Sequence, residues 1–114
     1  MDTSEAIDIF SALAQPTRLD AFRLLVRHEP LGLAAGELAR RLDVPHNTLS
    51  SHLSILARTG LVRAERQSRS VIYRADPEQA RAIASFLLEN CCGGDADSCP
   101  PLDIRDRPPP GNPA

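Results

Sequence analysis

The chain has 114 residues, 42% of them apolar and 4% aromatic, with a formal net charge of −2. This length predicts one domain with a small core, which a second copy of the chain would help to stabilise. No stretch approaches the roughly 20 apolar residues of a membrane span. Because the acidic residues 1–5 are unlike a signal peptide, we expect a cytoplasmic protein with no membrane partner.

The charge is distributed unevenly along the chain. Residues 36–74 carry seven arginines and three acidic residues, whereas residues 75–114 carry three arginines and seven acidic residues. A localised basic segment is typical of a surface that attracts the phosphate backbone of nucleic acid. A solvated arginine face would give the same charge, so the interpretation depends on the motifs in this segment.

The first part of the chain predicts helices. Apolar residues recur with a helical period between residues 6 and 14, and Pro16 suits the first turn of a second helix that should end near Pro30. Residues 31–36 are typical of a connector. A short third helix is expected over residues 37–42.

A tight turn at residues 43–45 leads into a fourth helix from about His46 to Thr59, with Gly60 as its C-terminal cap. Two β-type runs follow at residues 61–66 and 70–74, and the polar residues 67–69 between them indicate a hairpin tip.

The last predicted helix has a well-defined start. Asp76 is placed as its N-cap, Pro77 as its first residue and Gln79 as a capping-box partner. Its apolar stripe consists of Ala80, Ile83, Ala84, Leu87 and Leu88. The predicted fold is therefore mainly α with a small β-hairpin, a winged helix-turn-helix in the order α-α-α-α-β-β-α.

Two regions divide the chain. Residues 1–90 form the predicted winged helix-turn-helix domain for DNA binding and dimerisation. Residues 91–114 hold a cysteine-bearing loop and a tail with six prolines, for which we expect no packed structure.

The fourth helix has the pattern of a DNA-reading helix. Leu49, Leu53 and Leu56 fall on one side of a helical wheel, and short hydrogen-bonding side chains gather on the opposite side. Such side chains suit a helix in the major groove, whereas an ordinary surface helix favours better helix formers than serine. The candidate DNA-binding residues of this helix are Asn47, Thr48, Ser50, Ser51, His52, Ser54 and Arg58.

The hairpin supplies two further candidates, Arg66 and Arg69. An arginine near the tip of a wing can reach a phosphate or a neighbouring minor groove. The alternative is a charged edge hairpin protected from aggregation. For His52, packing or a phosphate contact is expected rather than metal binding.

Three motifs resemble the ArsR/SmtB family of metal-responsive repressors. They are LAQPTRL at residues 13–19, the helix-turn-helix segment 37–62, and the hairpin residues Arg66, Arg69 and Tyr73. The resemblance implies a homodimer joined by the first and last helices, a two-fold symmetric double-stranded DNA operator, and repression released by a ligand. Ser68 stands where the family's wing usually has glycine.

Two of the family's metal sites are missing from this sequence. The family's Cys-x-Cys box would fall on Ala34 and Gly36, and its Asp/His zinc site has no counterpart because residues 77–90 contain no histidine. All three cysteines instead lie together, at Cys91, Cys92 and Cys99.

Three grouped thiolates suit a soft ion with three-coordinate geometry, such as arsenite or antimonite. Zinc would want a fourth ligand. Some branches of the family carry an arsenic-binding cysteine triad at this end, so the sequence predicts a repressor of an arsenic-resistance operon that As(III) or Sb(III) releases from DNA. DNA binding itself requires no cofactor in this interpretation.

Two alternatives remain open from the sequence. In one, oxidation of the same thiols releases the repressor. In the other, the winged helix is a metal-sequestering or protein-interaction module that binds no DNA. An enzyme is not expected, because no nucleophile–base pair, phosphate loop or carboxylate dyad is found.

Overall fold

The computed structural model describes residues 1–89, which form five helices and three strands. Their bounds are α1 Thr3–Leu13, α2 Pro16–Arg27, β1 Leu33–Ala34, α3 Ala35–Leu42, α4 His46–Arg58, β2 Val62–Gln67, β3 Ser70–Ala75 and α5 Pro77–Leu88. Helices α3 and α4 with the β2–β3 hairpin, here called the wing, confirm the predicted winged helix-turn-helix. Within the described residues, no helix is long and apolar enough to cross a membrane.

The first two helices are each started by a side-chain cap. Asp2 accepts a hydrogen bond from the backbone N–H of Glu5 at 2.8 Å. Gln15 accepts one from the backbone N–H of Arg18, also at 2.8 Å, and Pro16 follows at the first helical position. These caps satisfy N–H groups that have no partner inside a helix.

The turn between α3 and α4 is closed by Asp43, which has a φ of 54°. Its backbone N–H donates to Arg40 O at 3.3 Å, and the N–H of Val44 donates to Ala39 O at 3.1 Å. This left-handed cap ends α3 and redirects the chain into α4. The tight turn predicted at residues 43–45 is therefore confirmed.

The sheet contains a strand that the sequence did not predict. The segment placed as a connector, residues 31–36, contributes β1 and the first residues of α3. Strand β1 pairs antiparallel with β3, giving the order β1-β3-β2. Gly32 permits this pairing, because its φ is 73° and an added Cβ would overlap the carbonyl oxygen of Tyr73.

The wing turns in two residues rather than three. Gln67 pairs with Ser70, so only Ser68 and Arg69 connect the strands. Ser68 has a φ of 56°, a conformation that glycine adopts without strain. This is the position at which the family usually has glycine.

The start of α5 differs in one detail from the prediction. Asp76 is the N-cap and accepts from the N–H of Glu78 at 3.0 Å. In a capping box, the side chain of Gln79 would accept a hydrogen bond from the backbone N–H of Asp76. Instead, that N–H donates to Leu61 O at 2.8 Å, and the side-chain amide of Gln79 donates to Thr59 O at 2.8 Å. Gln79 thus ties α5 to the end of α4.

The core lies between the helices and the base of the wing. Its largest fully buried side chains are Ile9, Leu25, Leu38, Leu49, Leu53, Leu56, Leu61 and Val62. By contrast, α1 leaves Ile7 and Phe10 exposed to 59% and 38%, and α5 leaves Leu87 and Leu88 exposed to 62% and 45%. Both helices therefore carry apolar surface that the rest of residues 1–89 does not cover.

Candidate nucleic-acid interface

Helix α4 is held in place by one apolar side. Leu49, Leu53 and Leu56 are at most 1% exposed and lie at helical spacing. Burial of these three leucines fixes the rotation of the helix about its axis. The opposite side must then face solvent.

The exposed side of α4 carries most of the predicted DNA-binding residues. Asn47, Thr48, Ser51, Ser54 and Arg58 are all exposed. Ser50 and His52 are half-buried, so they lie at the flanks of this surface and not at its centre. The prediction that Ser50 belongs to the exposed stripe is therefore only partly correct.

The polar groups at the start of α4 are lightly engaged with the protein itself. Asn47 Oδ1 accepts from the backbone N–H of Thr48 at 2.9 Å, and Ser51 Oγ donates to Asn47 O at a long 3.5 Å. The amide nitrogen of Asn47 makes no hydrogen bond within residues 1–89. These side chains can exchange their contacts for base edges at little cost.

The arginines of the wing fall into two groups. Arg63 pairs with Asp76 at 2.9 Å, and Arg74 pairs with Glu65 at 3.4 Å. Arg66 and Arg69 are exposed and make no ion pair with any residue between 1 and 89. Only this second group has its charge available for a phosphate.

The two arginines of helix α3 share one carboxylate. Glu37 accepts from Arg40 Nε at 3.1 Å and from Arg41 Nε at 2.8 Å. The hydrogen bonds from Arg40 and then Arg41 lower the pKa of Glu37, and the same contact raises the pKa of Arg40. Of the seven arginines in residues 36–74, those without an ion pair in the described region are Arg58, Arg66 and Arg69. These three are the arginines predicted to bind DNA.

His52 has a partner that sequence reasoning did not identify. Its Nδ1 lies 3.2 Å from Nη1 of Arg18, which belongs to the LAQPTRL motif at residues 13–19. The sequence pointed to Arg18 only through this motif. The motif gave no indication of a contact with His52, which lies 34 residues further along the chain. The contact agrees with a packing role for His52, and the alternative phosphate contact stays a prediction.

The predicted metal ligands Cys91, Cys92 and Cys99 lie outside the described residues. Within residues 1–89, no group of three or more histidine, cysteine, aspartate or glutamate side chains could hold a metal ion. The metal site therefore stays a prediction.

A polar helix face, a basic wing and a buried leucine stripe define the class of winged helix-turn-helix DNA-binding proteins. A protein-family model described as a helix-turn-helix domain matches residues 13–65. The transcriptional activator HlyU of Vibrio cholerae is 30% identical over 91 residues, covering 80% of this chain and 82% of HlyU. The biofilm growth-associated repressor of Agrobacterium fabrum is 29% identical over 89 residues, covering 78% of this chain and 74% of the repressor.

Solved structures give the same result. An ArsR-like transcriptional regulator from a Rhodococcus species matches with a TM-score of 0.63 at 30% identity, covering 74% of this chain and 76% of that one. A homodimeric winged helix-turn-helix domain from Mycobacterium bovis, a possible ArsR-family regulator, matches with a TM-score of 0.63 at 27% identity. The match covers 75% of this chain and 77% of that one. A possible transcriptional regulator for arsenical resistance matches with a TM-score of 0.62 at 27% identity, covering 70% of this chain and 80% of that one. The chain belongs to the ArsR family of transcriptional regulators.

This membership has two consequences. The chain is a DNA-binding transcriptional regulator and not an enzyme, as the sequence predicted. The direction of regulation is not fixed by the family, because one of these relatives is an activator and another a repressor.

Proposed function

We propose that the chain is a homodimeric repressor of an arsenic-resistance operon, released from its operator when As(III) or Sb(III) binds Cys91, Cys92 and Cys99. The observation that carries the DNA-binding part is the surface formed by α4 and the wing. There, Asn47, Ser51 and Ser54 are exposed, and Arg58, Arg66 and Arg69, the arginines of the basic segment 36–74 without an ion pair in the described region, lie on the same two elements.

The apolar surface of α1 and α5 supports the homodimer. Ile7 and Phe10 on α1 and Leu87 and Leu88 on α5 are exposed, and these are the helices that the family resemblance assigns to the interface. Contact between α1 and α5 within one chain brings the two surfaces together. The homodimeric Mycobacterium bovis domain shares this fold.

The position and chemistry of the cysteines support the effector. Cys91 follows the end of α5 at Leu88 by three residues, so an ion held there would act on a helix of the proposed dimer interface. Three thiolates satisfy a trivalent arsenic or antimony ion, and soft ligands favour soft ions. One neighbour in fold is described as a possible regulator for arsenical resistance.

An induction assay tests this proposal. Wild type and a variant with all three cysteines changed to serine are compared with an operator-linked reporter and graded arsenite. We expect both to repress without arsenite, since the three cysteines are not among the residues assigned to DNA binding, and only wild type to respond. Derepression of the serine variant at wild-type arsenite doses would contradict the assigned effector site.

Oxidation of the same thiols is the competing trigger. Arsenite titration of the fully reduced protein, with no oxidant present, separates the two. Release of operator DNA under these conditions supports metalloid binding, whereas release by peroxide alone supports a thiol switch.

A further inference from the structure

Arg18 makes three contacts that join two other helices. Its Nε donates to Ala12 O at 2.6 Å and its Nη2 to Ser11 O at 3.4 Å, both in the last turn of α1. Its Nη1 lies 3.2 Å from Nδ1 of His52, in the middle of α4. One guanidinium therefore connects the end of α1 to the helix that carries the candidate DNA-reading side chains.

The hydrogen-bond chemistry gives this contact a direction. A guanidinium has only donors, so Nδ1 of His52 must be the acceptor and the proton of a neutral ring must be on Nε2. The carbonyl of Ala12 lies in the last turn of α1 and has no backbone donor within the described residues, because Pro16 stands four positions on, whereas Ser11 O also accepts from the N–H of Ala14 at 3.2 Å. A cation is favourable at this end of a helix.

The position of Arg18 in its own helix is otherwise unfavourable. It lies in the first turn of α2, where the helix dipole opposes a positive charge. The cap from Gln15 to the Arg18 N–H fixes the backbone at this point. The side chain is therefore placed for its contacts to α1 and α4 and not for the stability of α2.

We infer that Arg18 and His52 form a positioning pair that sets the orientation of α4 relative to the dimerisation surface on α1. This inference rests on the proposed dimer and its operator. In a two-fold dimer, the spacing and tilt of the two α4 helices depend on how each is attached to the interface helices of its own protomer. Arg18 acts through His52, because each of its guanidinium nitrogens Nε, Nη1 and Nη2 already has a protein partner.

Arg18→Gln and His52→Ala each remove one side of the contact, and both should lower affinity for the operator about tenfold or more. His52→Asn retains an acceptor near the position of Nδ1 and should recover part of the affinity. The matched control is Arg23→Gln, which removes the same charge from an exposed α2 residue that has no hydrogen bond or ion pair within residues 1–89. This control should bind as wild type does.

Two further readouts separate positioning from a direct contact with DNA. Affinity for unrelated DNA and the slope of log affinity against log salt should stay at their wild-type values in Arg18→Gln, because no phosphate contact is lost. The double variant Arg18→Gln/His52→Ala should bind no more weakly than the weaker single variant, since both changes break the same contact between Arg18 and His52. Sedimentation should show dimers throughout.

The inference is overturned if the two changes are additive, if Arg18→Gln lowers the salt slope by about one, or if both single variants bind like wild type. Should Arg18→Gln fail to fold, the His52→Ala and His52→Asn comparison decides, because neither alters the contacts to α1. Lower operator affinity of His52→Ala at an unchanged salt slope, partly recovered in His52→Asn, supports positioning, whereas a slope lowered by about one in His52→Ala shows a direct phosphate contact and overturns the inference. Absence of specific binding by wild type would instead contradict the proposed function.

Discussion

At the scale of single residues, the availability of each arginine depends on its ion pairs. The wing places Arg63 against Asp76 and Arg74 against Glu65, while Arg69 at the tip has no ion pair in the described residues. Exposed ion pairs contribute little to stability. Within residues 36–74, their effect is to leave the unpaired positive charge on the wing and on α4.

Arg69→Ala should weaken binding to all DNA sequences and reduce the salt slope by about one, because one phosphate contact is lost. Arg63→Ala is the matched control from the same hairpin, and its salt slope should be unchanged. Fluorescence anisotropy across a range of salt concentrations measures both. Equal slopes for Arg69→Ala and wild type would show that the wing tip makes no phosphate contact.

Gly32 is the residue whose replacement should be most harmful to the sheet. A Cβ there would overlap the Tyr73 carbonyl and lie 2.8 Å from Cγ of Arg74, at a φ of 73°. Gly32→Ala should destabilise the protein by roughly 2–3 kcal/mol. Gly36→Ala is the control, because nothing lies within 4 Å of its added Cβ and alanine favours helix α3. Thermal unfolding should show a lower Tm for Gly32→Ala and no decrease in Tm for Gly36→Ala.

At the scale of elements, the wing turn carries local strain at Ser68. A left-handed φ costs a non-glycine residue about 1–2 kcal/mol, and the flexibility of unfolded glycine offsets part of that. Ser68→Gly should therefore stabilise the protein by roughly 0.5 kcal/mol, raising Tm by about 2–4 °C. Operator affinity should not change, because Arg69 keeps its place. A lower Tm for this variant would contradict the strained turn.

The elements also show what sequence patterns can and cannot predict. The buried leucine stripe predicted α4 as residues 46–59, against the observed His46–Arg58. Strand β1 was missed because two residues carry no periodicity and the strand exists only through pairing with β3. Gln79 was placed in a capping box because its spacing fits one, but the end of α4 is close enough to accept its amide.

The same contrast between predictable and unpredictable features applies to the candidate site. Helical periodicity was sufficient to place the polar face of α4 opposite the core. The partial burial of Ser50, the pairing of Arg63 with Asp76 and the contact of Arg18 with His52 depend on segments distant in sequence, so no local pattern could give them.

At the scale of the whole molecule, the exposed apolar surface of α1 and α5 is the main argument for a dimer. Leu87→Glu places a charge in this surface and should raise the dimer dissociation constant about 100-fold or more. Leu31→Glu is the control, because Leu31 is 80% exposed in the α2–β1 connection, outside both helices. Sedimentation at micromolar concentration should find a monomer for the first variant and a dimer for the second. A dimer in both would place the interface elsewhere.

The most direct test of the central claim is operator preference in a variant without the hydrogen-bonding side chains of α4. Asn47, Ser51 and Ser54 are changed together to alanine, which favours the helix, and anisotropy is measured on the upstream operator duplex and a scrambled duplex. Wild type should prefer the operator by about 1,000-fold or more. The variant should lose at least about tenfold of that preference while binding the scrambled duplex like wild type. Full preference in the variant, or none in wild type, would contradict DNA reading by α4.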